Sequence, residues 1–171
     1  GEGELMITPA DGGSTGPTPD RLIGPWGRRV LIGVGNHDRG DDSIGPLVAD
    51  AVQSRTDQVV TIDREGDLAV LPLLWDSGDD VLIVDACRSR NPVGTLRLID
   101  PDDLAGGIGM STHGMSVAEA IQLARRLDRM PNRLRLMGVA GQRFGYESMS
   151  PELRDAFPSV VNAVLIELGV E

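Results

Sequence analysis

The chain has 171 residues, which suits a single domain, and its 16 basic and 26 acidic residues give a net charge of −10. Every basic residue is arginine, so lysine chemistry is excluded, and the acidity argues against nucleic acid or an anionic membrane as partner. The single cysteine, Cys87, excludes an internal disulfide and a multi-cysteine metal site, and it favours a cytoplasmic location.

The beginning of the chain differs in composition from the rest. Residues 1–26 are rich in Gly, Pro, Thr and Asp, and such a segment buries too little apolar surface to offset the entropy of ordering it. No apolar run approaches the about 20 residues of a membrane span, and no secretory signal pattern is present. We therefore predict a flexible tail over residues 1–28 and one domain over residues 29–171.

Strand and helix patterns alternate along the domain. Apolar runs at 29–35, 58–62, 80–86 and 134–140 predict strands, and the alternating segment 93–99 is a candidate hairpin partner of 80–86. Helices are predicted at 44–52 and 67–75, from a capping box at Ser116, and after Ser150-Pro151-Glu152, where Ser150 has the N-cap hydroxyl. We expect Pro158 to kink this last helix or to delay its start. The alternation predicts an α/β sandwich with a mostly parallel sheet.

In such sheets, ligand sites form outside the carboxyl ends of the strands. The first loop at that edge, residues 33–45, begins like a dinucleotide-binding loop, but Asp38 stands where the third glycine belongs. Its adjacent acids Asp41 and Asp42 would repel a pyrophosphate, so we do not expect a nucleotide site. These two acids suit either helix capping or a function.

Two further polar residues belong to the same edge. Asp85 ends the most apolar predicted strand, and His113 follows a glycine-rich segment. Together with Asp42 they form a plausible open site for a divalent ion such as nickel or zinc. Three other candidates are weaker: His37 lies in a polar loop, Cys87 lacks an evident base despite nearby arginines, and Ser111 lies outside any nucleophile-elbow motif.

Four segments, in this order, resemble the hydrogenase maturation proteases, which trim the large subunit of nickel–iron hydrogenases. They read GVGNHDRGDDSIGPLVADAV, VLIVDACRSRNPVGTL, STHGMSVAEAIQLARRL and GYESMSPELRDAF. The resemblance implies a three-layer α/β/α sandwich around a twisted, mostly parallel sheet of about five strands, of the phosphorylase/hydrolase-like type. It also implies an endopeptidase, grouped with aspartic peptidases, that removes a C-terminal extension from the large-subunit precursor.

The resemblance assigns metal binding to Asp42, Asp85 and His113, which we also take as the catalytic set. It implies that the nickel is carried by the substrate and that no organic cofactor is needed. The attacking water is activated either by an aspartate or by the metal, and Asp41 either shares this work or caps a helix. We expect a cytoplasmic monomer whose partner is the large-subunit precursor. Two other readings are a nickel-sensing chaperone without catalysis and a small-molecule hydrolase.

Overall fold

A computed structural model describes residues 20–104 and 115–170, and a six-stranded sheet runs through the centre of this part of the chain. Each predicted strand is present, and most extend by a few residues because neighbouring strands supply hydrogen-bond partners beyond the apolar runs. The strands are β1 (Ile23–Gly24), β2 (Gly27–Val34), β3 (Val60–Arg64), β4 (Asp79–Arg88), β5 (Leu96–Ile99) and β6 (Arg133–Gly141).

The strands follow the order β1-β2-β4-β6-β5, β3 also pairs with β2, and the sheet contains both parallel and antiparallel pairs. Strands β3, β2, β4 and β6 are parallel, whereas β1 and β5 are antiparallel to their neighbours. The predicted hairpin between residues 93–99 and 80–86 is wrong, because β5 pairs with β6 instead. Both edges of β4 are already occupied by β2 and β6, so β5 has no place beside it.

Helices cover both faces of the sheet, which confirms the α/β class and the layered arrangement. Helices α1 (Ile44–Arg55) and α3 (Pro151–Glu167) pack on one face, and α2 (Val117–Arg126) packs on the other with a 3₁₀ helix at Leu68–Leu73. Alternate residues of the buried strands supply the two cores, as Leu31 and Leu82 do for one and Ile32 and Ile83 for the other.

The two predicted helix starts differ in outcome. The Ser116 side chain accepts a hydrogen bond from the Glu119 amide at 3.1 Å, so the predicted cap is confirmed. Helix α3 does begin at Pro151 and continues through Pro158, so the delayed start is wrong. Ser150 makes no side-chain capping bond, because its hydroxyl is used elsewhere.

The ordered domain begins before residue 29. Residues 20–28, assigned above to the flexible tail, form a 3₁₀ turn at Asp20–Leu22, strand β1 and the first residues of β2. The guanidinium of Arg28 bonds Asp79, and that of Arg29 donates to the Leu168 carbonyl at 2.7 Å, which fastens this segment to the domain. Residues 1–19 lie outside the described part, so the prediction for them stays a prediction. No helix in the two described ranges has the length and apolar character needed to cross a membrane.

Candidate active site

The carboxyl ends of β2 and β4 meet where the connections from the two strands diverge. The chain leaves β2 through α1 toward β3 on one side, and it leaves β4 toward β6 on the other. A crevice at this switch point is the usual ligand site of an open α/β sheet. Asp85 of β4 lies beside Val34, the last residue of β2, and Asp42 follows β2 in a 3₁₀ turn at Gly40–Ser43.

Asp85 is a buried carboxyl with few hydrogen bonds to offset the cost of its burial. Only 2% of the residue is exposed, and its Oδ2 atom has no hydrogen-bond partner among the described residues. Burial raises the pKa of Asp85 well above its usual value, the charge of Asp42 raises it further, and the Ala86 amide opposes the shift. A buried acid with a free oxygen facing a second acid is arranged to accept a cation.

Asp42 is the more accessible of the two acids. Its Oδ2 accepts a hydrogen bond from the Asn36 amide at 2.9 Å, which orients the carboxylate at the end of β2. Burial raises the pKa of Asp42, while the Asn36 amide and the charge of Arg39 oppose the rise. Its influence on the pKa of Asp85 places the two predicted site residues within electrostatic reach of each other.

Asp41 has a role that the sequence did not reveal. Its carboxylate is fully buried and accepts hydrogen bonds from the amides of Gln142, Arg143 and Ser150 at 2.8, 3.1 and 2.8 Å. The Ser150 hydroxyl also donates to it at 2.9 Å. Burial alone would raise the pKa of Asp41, but these donors outweigh burial and lower it. Asp41 therefore caps no helix and has no oxygen free for an ion.

These bonds fasten the Asp42 loop to residues 142–149, which connect β6 with α3. The Gly40 amide donates to the Glu147 carbonyl at 2.9 Å, and the Asp41 amide donates to the Arg143 carbonyl at 2.6 Å. Gly40 has φ +54°, and a Cβ atom there would lie 2.5 Å from that Arg143 oxygen. These contacts join positions about a hundred residues apart, so no local sequence signal identifies them. The only sequence feature that pointed to a role for Asp41 is its position next to Asp42.

The remaining sequence candidates have the following places. His113 lies outside the described residues, so its assignment stays a prediction. His37 is exposed, and its Nε2 lies 3.5 Å from Asp63 Oδ2, with Asp50 close to both. Burial and the charge of Asp85 raise the pKa of the Cys87 thiol, so the arginines nearby do not activate it.

The fold and the paired acids define an α/β protein with a carboxylate site at the switch point of its sheet. Comparison with known proteins identifies the family more closely. A family model described as hydrogenase maturation protease matches residues 66–167. The hydrogenase 3 maturation protease of Escherichia coli K12 is 32% identical over 137 residues, which is 77% of this chain and 85% of that protein.

Solved structures agree. An endopeptidase from Escherichia coli is 26% identical with a TM-score of 0.69, and the match covers 84% of this chain and 95% of that one. The hydrogenase maturating endopeptidase HybD from Escherichia coli has the same fold, with a TM-score of 0.68, 24% identity and coverage of 82% and 91%. The chain belongs to the hydrogenase maturation protease family, and it is therefore a hydrolase of the endopeptidase class. The resemblance drawn from its sequence is confirmed.

Proposed function

We propose that this protein removes the C-terminal extension from the nickel-loaded precursor of a nickel–iron hydrogenase large subunit. The observation that carries the proposal is the buried Asp85 carboxyl, whose Oδ2 is unpartnered among the described residues and which faces Asp42 at the switch point. Such a pair is costly without a cation, and a nickel ion carried by the substrate would compensate it. Membership in the family supports the same reaction.

In this proposal Asp42, Asp85 and His113 complete the coordination of the substrate's nickel, which places the scissile peptide bond beside the site. Water adds to the carbonyl carbon and the C–N bond breaks, so that one product carries a new carboxylate and the other a new amine. An aspartate or the ion activates the water. The enzyme works without an organic cofactor, as a cytoplasmic monomer.

The test is cleavage of purified precursor, with and without nickel, followed by the mass of the large subunit. We expect loss of the C-terminal mass only with nickel and wild-type enzyme, and none with Asp85→Asn or His113→Ala. Asp155→Asn, an equal charge change at an exposed position of α3, is the matched control and should cleave normally. Undiminished cleavage by both site variants would contradict the proposed site. Tight binding with unchanged mass would instead favour the nickel-sensing chaperone.

A further inference from the structure

Aromatic residues are scarce in this chain, and two of them lie beside the candidate site. The whole sequence contains two Trp, two Phe and one Tyr. Phe144 and Tyr146 both belong to residues 142–149, the segment that Asp41 fastens to the Asp42 loop. Tyr146 is 79% exposed, an unusual position for a large amphipathic ring in a protein with few aromatic side chains. This concentration indicates a surface for a partner.

Each of these two rings is stacked by an arginine from a neighbouring loop or strand. The guanidinium of Arg39 lies 4.9 Å from the centre of the Tyr146 ring, and that of Arg88 lies 4.5 Å from the centre of the Phe144 ring. Arg39 also donates from Nε to the Phe144 carbonyl at 3.1 Å. Arg88 is three residues beyond Asp85 on β4, so the two pairs lie at the sheet edge that carries the site acids.

The two arginines keep charge available for a ligand. Neither Arg39 nor Arg88 forms an ion pair with an acid in the described ranges, whereas Arg143 of the same segment lies 3.9 Å from Glu147. Both positive charges lie near the two site acids: the charge of Arg39 opposes the rise in the pKa of Asp42, and Arg88 follows Asp85 on β4. Their remaining N–H groups suit carboxylate and carbonyl oxygens of a bound polypeptide.

The surface is also held in place before any partner arrives. The Asp41 carboxylate accepts hydrogen bonds from Gln142 and Arg143 at the start of the segment and from Ser150 directly after it. The stacked arginines restrict the two rings of the segment. Preorganisation of this kind reduces the entropy lost on binding, and exposed Tyr and Arg are the residue types that most often dominate binding energy.

We propose that the Arg39–Tyr146 and Arg88–Phe144 pairs form the docking surface for the large-subunit precursor and bind the polypeptide that flanks the scissile bond. This inference rests on the proposed function, because it names how the same substrate is held. The occupant is an extended polypeptide with carboxylate groups for the arginines and apolar groups for the tyrosine ring. Docking acts alongside nickel coordination and does not require it.

The test compares Tyr146→Ala and Arg88→Gln with a matched control. A third stacked pair, Trp26 with Arg133 at 4.8 Å, involves the opposite end of the sheet and a ring that is 53% exposed, so Trp26→Ala removes an equivalent exposed ring far from the site. Two readouts are needed: kcat and KM with the nickel-loaded precursor, and the Kd of the nickel-free precursor, which the proposed mechanism leaves uncut.

We expect KM and the Kd of the nickel-free precursor to rise about tenfold in Tyr146→Ala and Arg88→Gln, with kcat within about twofold of the wild type. Tyr146→Phe, which keeps the ring, should restore both values, and Trp26→Ala should leave them unchanged. Equal KM and Kd values across all variants, with normal cleavage by the wild type, would overturn the docking surface alone. A wild type that never cuts but still binds through Tyr146 would overturn the proposed function and keep the docking surface. Self-association lost on Tyr146→Ala, with precursor binding unchanged, would assign the surface to a second copy of the chain and overturn the inference.

Discussion

Asp41→Asn and Asp85→Asn make the same chemical change at two buried carboxyls of one site, and we expect them to change stability in opposite directions. Asp41 accepts three amide hydrogen bonds and one from a hydroxyl. Asp85 is equally buried, but its Oδ2 has no partner in the described ranges and its neighbour Asp42 is also an acid. The contrast depends on the environment of each group, since the chemical change is identical.

The magnitudes follow from the two environments. An asparagine at position 41 presents an NH₂ group to at least one of the amides that now donate to the carboxylate, so a bond to a charged acceptor is lost and a donor is left unpaired. We expect a loss of about 3 kcal/mol in the free energy of unfolding. At position 85 the pKa is higher in the folded state than in the unfolded chain, so between these two pKa values the folded state holds a proton that the unfolded state releases. The free energy of unfolding of the wild type therefore falls as pH rises from the unfolded pKa through the folded pKa. Asparagine does not titrate, so its advantage should grow over that window by up to about 1.4 kcal/mol per pH unit.

Urea unfolding at pH 5 and pH 8 measures both effects, followed by circular dichroism and by the fluorescence of the buried Trp75. The free energy of unfolding should fall in Asp41→Asn at both pH values. In Asp85→Asn its advantage over the wild type should be larger at pH 8 than at pH 5. Asp155→Asn controls for the loss of one negative charge. A destabilised Asp85→Asn at pH 8, or an Asp41→Asn variant as stable as the wild type, would refute this account of the two acids.

Three further predictions concern the same region. Ser150→Ala should lower the free energy of unfolding by about 1 kcal/mol and move acid unfolding to higher pH. The lowered pKa of Asp41 stabilises the folded state at pH values above the pKa of the unfolded chain, and this stabilisation is lost as pH falls through the folded pKa, which the Ser150 hydroxyl helps to lower. An unchanged midpoint of acid unfolding would contradict this. Gly45→Ala should lower the free energy of unfolding, measured by heat or urea, by about 3 kcal/mol, because the new Cβ would lie 2.3 Å from the Val34 carbonyl oxygen. Gly78→Ala, which has open space around the new Cβ, is the control and should be neutral. Equal stability of the two variants would argue against close packing of α1 on the sheet. Binding of the nickel-loaded precursor should strengthen as pH rises through the raised pKa of Asp85, because the carboxyl must release its proton to coordinate the ion, and this dependence should vanish in Asp85→Asn.

The sequence predicts the elements of this fold well because hydrophobic periodicity is a local property. The buried strands β2, β4 and β6 and helix α1 all follow from spacing alone. Pairing is not local: the alternation in residues 93–99 identifies a strand but not its neighbour, and β5 joins β6 because β4 has no free edge. The composition of the first residues hides contacts such as the bonds from the Arg28 guanidinium to Asp79, which help to order residues 20–28.

The candidate site shows the same division. Strand ends and the switch-point rule select Asp42 and Asp85, because the carboxyl ends of parallel strands share one edge. The use of Ser150 is not predictable in this way: its position before Pro151 has every feature of an N-cap, yet its hydroxyl donates to Asp41, 109 positions earlier in the chain. The local capping rule fails here because the hydroxyl forms a stronger hydrogen bond with a buried, charged carboxylate than with the amides of a partly exposed helix end.

Adjacent acids at the end of β2 therefore carry different tasks, and the difference bears on how a substrate-borne ion would be recognised. Asp41 is saturated by donors, which keeps it charged and fixes the loop. Asp42 accepts a single bond, from Asn36, among the described residues, and Asp85 has a raised pKa that favours its neutral form. On the proposed function, the site is held rigid by one acid while the other two stay available for a cation. The positive charge of the precursor's nickel would favour the deprotonated form of Asp85, so the ion, and not the polypeptide alone, completes the site.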